Sequence, residues 1–94
     1  MHIVELKDTV SMMNSEDYKE RFKAEYYQTK TRYEKLKSFN NRIEAACRTG
    51  YSIDKRVAKP KHDCPEELLK EQQRVMGEYL HILEVRAVIE NVEL

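Results

Sequence analysis

The chain has no tryptophan and only two glycines and two prolines in its 94 residues. A protein of many short strands needs a turn signal about every 8–12 residues, so this scarcity excludes a sandwich or barrel and points to an all-α chain. There is also no apolar run near the roughly 20 residues that a membrane-crossing helix requires. The first residues lack the basic and then apolar pattern of a secretory leader, and the expected location is the cytoplasm. Neither sign of charge dominates: Lys plus Arg and Asp plus Glu stand at 17 each. No overall field therefore draws the protein to nucleic acid or to an anionic membrane. The only cysteines are Cys47 and Cys64, which in a reducing cytosol stay thiols and form no disulfide framework.

Chemistry is equally sparse. His62 and Cys64 make one H-x-C pair, with His2, Cys47 and His81 scattered elsewhere, whereas a zinc site needs four ligands in paired spacings. There is no glycine-rich phosphate loop, and no Ser or Cys stands in the context of a nucleophile. The expectation is a protein without enzymatic activity, metal or cofactor.

What the chain does have is charge (36% of residues) and helical rhythm. Phe22, Tyr26, Thr29, Tyr33, Leu36, Asn40, Ile43 and Cys47 recur in alternating steps of four and three, the spacing of an interhelical seam. Ser15 can cap this helix, Glu16 and Asp17 suit its positive end, and Gly50 can close it. Helix one is thus predicted over 15–48, a rod of roughly 50 Å at about 1.5 Å per residue, which needs a second helix alongside. Before it, residues 1–14 read as an extended arm followed by a short helical turn from Thr9 to Met13 capped by Asp8. The arm's Ile3, Val4, Leu6, Val10, Met12 and Met13 need cover from a helix or a neighbouring subunit, unless the arm is itself a partner-binding segment.

Residues 49–64 form the expected loop, broken by Lys59-Pro60. It is long for a helix-to-helix connection and basic, yet its four cations from Lys55 to Lys61 are flanked by Asp54 and Asp63. A solvated loop fits that pattern better than a nucleic-acid contact. Helix two is predicted over 65–91, opened by Pro65 at its first position with Glu66 and Glu67 beside the positive end of the dipole. Its apolar residues fall on two stripes: Leu69, Met76, Leu80, Leu83 and Ala87 on one, and Leu68, Val75, Tyr79, Ile82 and Ile89 on the other. One stripe satisfies helix one. The other has no partner inside a two-helix hairpin, and an exposed apolar face usually marks an interface. The fold expected is therefore a single domain, a long antiparallel helical hairpin assembling into a helical-bundle homo-oligomer.

Two features bear on ligand binding. Tyr18, with Arg21 and Arg32 on later turns, either packs and pairs as ordinary helix surface or forms a surface that stacks a base and holds phosphate. Arg86 lies on the second apolar stripe between Ile82 and Ile89, where a cation needs an acceptor. That acceptor is either a glutamate such as Glu25 or a ligand phosphate or carboxylate.

The residues Asp17-Tyr18-Lys19-Glu20-Arg21-Phe22-Lys23-Ala24-Glu25-Tyr26, then Arg32 to Leu36, Cys64-Pro65, Leu68-Leu69, Gln72, Met76, Tyr79-Leu80, Leu83 and Arg86-Ala87 resemble a crAss-phage-related family of short helical proteins of unknown function. The resemblance runs from about Asp8 to Leu94. In architecture the chain is also similar to the phage anti-CBASS and anti-Thoeris sponges, small helical-hairpin oligomers that sequester cyclic nucleotide signals. Their Leu-x-x-x-Arg-Ala run has a counterpart in Ile82 to Ala87, with Ile at its start, whereas their Tyr-Arg motif is replaced by Tyr18-Lys19. The resemblance implies a phage-encoded anti-defence protein that traps a signalling nucleotide at subunit junctions. The residues expected to hold it are Tyr18, Lys19, Arg21, Arg32 and Arg86. Two other roles stand beside it: an inhibitor that binds a host defence protein directly, and a structural helical interaction protein.

Overall fold

The computed structural model describes residues 5–49 and 60–94. Every regular element among them is helical: a 3-10 turn (Leu6–Thr9), α1 (Val10–Met13), α2 (Tyr18–Arg48) and α3 (Glu66–Glu90). Residues 1–4 of the expected arm lie outside the described part. So do Gly50, expected to close helix one, and the basic Lys55, Arg56 and Lys59 of the connection.

α2 begins at Tyr18 and not at Ser15. Asp17 is the cap, its extended backbone letting its carboxylate accept the Lys19 N–H at 3.0 Å. Ser15 supports the turn before it, its hydroxyl accepting the Asp17 N–H at 3.1 Å. With no Gly or Pro to interrupt it, α2 then runs for 31 residues, roughly 46 Å at 1.5 Å each. It ends where the Thr49 hydroxyl turns back on the Ala45 and Ala46 carbonyls, groups that a helix end otherwise leaves without partners.

α3 lies antiparallel along α2. The pairing is read from cross-helix hydrogen bonds whose numbers run in opposite directions: Tyr18 to Glu90, Tyr26 to Glu84 and Asn40 to Gln73. Phe22, Tyr26, Leu80, Leu83, Ala87 and Val92 form the core, with Tyr27 and Tyr33 packed against it. The seam reading holds at Phe22, Tyr26, Asn40 and Ile43, all buried; Cys47 at its end is exposed. Asn40 is a polar seam residue whose amide nitrogen donates to the Leu69 carbonyl at 3.2 Å and to Gln73 Oε1 at 2.8 Å. A buried amide satisfied by one pair of partners favours one register over its neighbours. Gly77 serves the same contact zone, since a Cβ there would come within 3.2 Å of the Tyr33 ring.

The N-terminal segment packs against α2 and meets it at Gln28. It docks through a polar residue: Thr9 is fully buried, its hydroxyl donating to the Leu6 carbonyl at 2.6 Å and accepting from Gln28 at 2.9 Å. Val10 and Met13, expected to need cover, are about half exposed. Asp8 does not cap α1. It is the third residue of the preceding turn, where its carboxylate accepts the Glu5 N–H at 3.1 Å.

Both ends of α3 are specified locally. Pro65 stands just outside the helix as its cap, its carbonyl accepting the Leu68 and Leu69 N–H groups. At the other end Asn91 takes the left-handed conformation (φ 57°, ψ 48°), and the Val92 N–H returns to the Ala87 carbonyl at 2.8 Å. That six-to-one bond is the Schellman ending, and it folds Val92 back into the core.

Candidate functional site

The Schellman ending brings the last turn of α3 against the first turn of α2, and three side chains interlock there. The Tyr18 hydroxyl donates to Glu90 Oε1 at 2.7 Å and accepts from an Arg86 terminal nitrogen at 2.8 Å, while Arg86 Nε donates to Glu90 Oε2 at 2.9 Å. Beneath them the Phe22 ring supports the guanidinium at 5.1 Å and meets the Tyr18 ring edge-on at 6.2 Å. Beside them Lys19 Nζ donates to the Asn91 carbonyl at 3.0 Å, an oxygen aimed by the left-handed turn.

The three groups shift one another's protonation in consistent directions. The bond from Tyr18, then that from Arg86, holds Glu90 below the ordinary carboxylate range. The bond to Glu90 raises the Tyr18 phenol, with burial adding to the rise and the Arg86 charge opposing it. Glu90 likewise raises Arg86. Deeper in the hairpin, burial and then the bond to Glu84 push the Tyr26 phenol well above its usual value, which fits an interhelical strut that stays protonated.

As a binding surface, the hairpin end presents a half-exposed phenol ring and a half-exposed guanidinium. An arginine carries five N–H donors, and among the described residues two of them are taken up, by Glu90 and Tyr18. Lys19 adds a second cation. A flat ring beside two preoriented cations can stack a planar group and hold an anion, with Glu90 setting the arginine's orientation at the cost of one competing negative charge.

Of the five residues expected to bind, the fold brings together Tyr18, Lys19 and Arg86. Arg21 turns toward the chain entering α2, donating to the Ser15 carbonyl at 2.8 Å. Arg32 is exposed and lies fourteen residues beyond Tyr18 on α2, roughly 21 Å along the helix axis, away from the cluster. The acceptor of Arg86 is Glu90 on its own helix, not Glu25, which instead accepts from the Tyr79 hydroxyl. Glu90 and Asn91 escaped sequence reasoning, although two signals were present. Arg86 and Glu90 are four apart on a helix, and an asparagine at a helix end is a candidate left-handed residue.

Two other polar places need comparison. A groove of about 320 Å³ at mid-hairpin is lined by Tyr33, Asn40, Lys70, Gln73 and Arg74 among others, with Arg74 already paired to Glu78 at 2.9 Å. At the far end His62 contacts the Cys64 carbonyl at 2.6 Å and the Glu66 carboxylate at 3.7 Å, its ring edge-on to Phe39. That arrangement fastens the chain entering α3.

The family model described as Sequestin matches residues 16–89, a span that takes in α2, the connection and all but the last residue of α3. Neither a curated protein nor a solved structure matches the chain.

Proposed function

The chain belongs to the Sequestin family, and from that premise we propose that it is a non-enzymatic sequestering protein. Its cargo is a cyclic or other signalling nucleotide, held at the hairpin end where copies of the chain meet. The observation that carries this reading is the Tyr18, Arg86 and Glu90 cluster with Lys19 beside it. A base stacks on the Tyr18 ring, while the free edge of Arg86 and the Lys19 ammonium hold phosphate. Holding a signal requires no general acid, nucleophile or cofactor. A phage origin and an anti-defence role enter through the resemblance to phage helical proteins and nucleotide sponges.

Calorimetry at micromolar protein with a panel of cyclic di- and trinucleotides and ADP-ribose isomers tests this. The expected result is a saturable heat with at least one of them, abolished by Arg86→Ala and unaffected by Lys70→Ala. No heat from any compound overturns the reading. Loss with Lys70→Ala instead of Arg86→Ala moves the site to the mid-hairpin groove.

A second reading has its own observation, the exposed apolar stripe of α3. On that reading the protein inhibits a host defence protein by binding it directly, and a pull-down from host lysate retains a stoichiometric partner that a nucleotide sponge does not.

A further inference from the structure

The positive charge at the hairpin end is largely answered from within the chain. Arg86 is bound to Glu90, and Glu25 adds a weaker negative field at its guanidinium. Lys19 Nζ rests on the uncharged Asn91 carbonyl, and the Asp17 carboxylate caps the turn on which Lys19 stands. Little net attraction for an anion is left. What remains is directed hydrogen bonding, from the N–H groups of Arg86 beyond those given to Glu90 and Tyr18 and from the Lys19 ammonium. A plain anion trap gains nothing from Glu90, because a carboxylate at its edge repels every anion that enters.

That repulsion is unequal between the two common kinds of nucleotide phosphate. A bridging phosphate carries a single negative charge on two free oxygens. A terminal phosphate carries about 1.5 to 2 negative charges near neutral pH, on three. Both can accept from Arg86 and Lys19, yet the Glu90 carboxylate opposes the terminal group more strongly, since Coulomb repulsion scales with charge. Glu90 is also fixed in place. The Tyr18 hydroxyl and Arg86 Nε hold one oxygen each, at 2.7 and 2.9 Å, and the same bonds keep its carboxyl ionised below the ordinary carboxylate range.

Resting on the sequestration reading, we propose that Glu90 sets the selectivity of the hairpin end, which admits nucleotides whose phosphates are all bridging and rejects those with a terminal phosphate. Such a filter serves a sponge directly. The abundant mononucleotides of a cell end in terminal phosphates, and a site open to them fills before any signal arrives. Repelling the wrong ligand contributes as much to specificity as holding the right one.

Cyclic AMP and AMP share base and sugar and differ in this one respect. Each is titrated into the full chain at low salt, where surface charges are least screened, and the Arg86 Nε–H signal is followed by NMR. At about pH 7.5 cyclic AMP should bind about tenfold more tightly than AMP, and Glu90→Gln, which keeps an oxygen for the Tyr18 hydroxyl, should bring the two within about twofold. Lowering the pH to about 5, below the second phosphate pKa of about 6, should narrow the gap in the unaltered chain as well. Cyclic AMP keeps its charge over that range and so reports any titration of the protein itself. A Glu90 that only orients Arg86 would weaken both nucleotides alike when replaced, and an unchanged ratio overturns the proposal. Equal binding of the two to the unaltered chain overturns it too, as does an Arg86 signal that cyclic AMP leaves unmoved. Each of these results leaves the calorimetric test of sequestration standing, since that test uses the larger signalling compounds.

Discussion

α3 shows the same kinds of residue in two circumstances. On its inner face Leu80, Leu83 and Ala87 are buried against Phe22 and Tyr26; on its outer face Leu68, Val75, Ile82 and Ile89 stand in water. Adjacent residues make the contrast sharpest, since Leu83 is 0% exposed and Ile82 is 54% exposed. Hydrophobicity does not separate the two faces. Only the presence of α2 on one side does, and the other face keeps its capacity to bury surface in reserve.

Truncation on each face measures the difference. Leu83→Ala should lower the unfolding free energy by about 2–5 kcal/mol, the range for emptying a packed site. Ile82→Ala should cost less than about 1 kcal/mol, because the lost atoms were already partly hydrated. Urea titrations of both variants check this, and equal losses would mean that the outer face is covered.

A smaller effect separates the inner face from its polar pin. Asn40→Ala removes the donor to Leu69 and Gln73 and should cost about 1–3 kcal/mol, since two hydrogen bonds between the helices are lost and a buried space is opened. The register should loosen at the same time, giving faster amide exchange around Leu69 and Gln73 than around Leu83.

The smallest predicted effect is at the hairpin end, where the inner face gives way to the candidate site. The hydrogen bonds to Glu90 hold its carboxyl below the ordinary range. A group with a depressed folded pKa contributes stability above its unfolded pKa, and that contribution is lost as pH falls through the folded value. Tyr18→Phe removes the first of those bonds. The Glu90 titration, followed by carboxyl-carbon NMR, should move up toward the ordinary range, with little change in overall stability because solvent reaches the partly exposed group. An unmoved midpoint would mean that Arg86 alone sets it.

Much of the hairpin was legible in the chain. The four-and-three rhythm from Phe22 to Ile43 named the buried face of α2, and the two stripes of α3 were separable by their spacing, because side-chain direction repeats with the helical period. Short-range competition was harder to read. Ser15 and Asp17 are both good caps, and Asp17 prevails because its carboxylate reaches the Lys19 N–H while Ser15 braces the turn. The docking of the N-terminal segment through Thr9 was invisible, since a buried threonine is recognised only once Gln28 is seen to satisfy it.

The candidate site divides the same way. That Tyr18, Lys19 and Arg86 suit a planar anion follows from their chemistry. That Arg21 leaves for the Ser15 carbonyl and that Glu90 orients Arg86 follow from where the helix ends fall. By itself the sequence determined the helices, their apolar faces and the surplus of apolar surface, because these depend on local periodicity and composition. The tertiary structure alone decided which stripe α2 covers, which register Asn40 secures, and which cations meet at the hairpin end. Each of those depends on the relative placement of residues some thirty to seventy positions apart, and no local pattern encodes it.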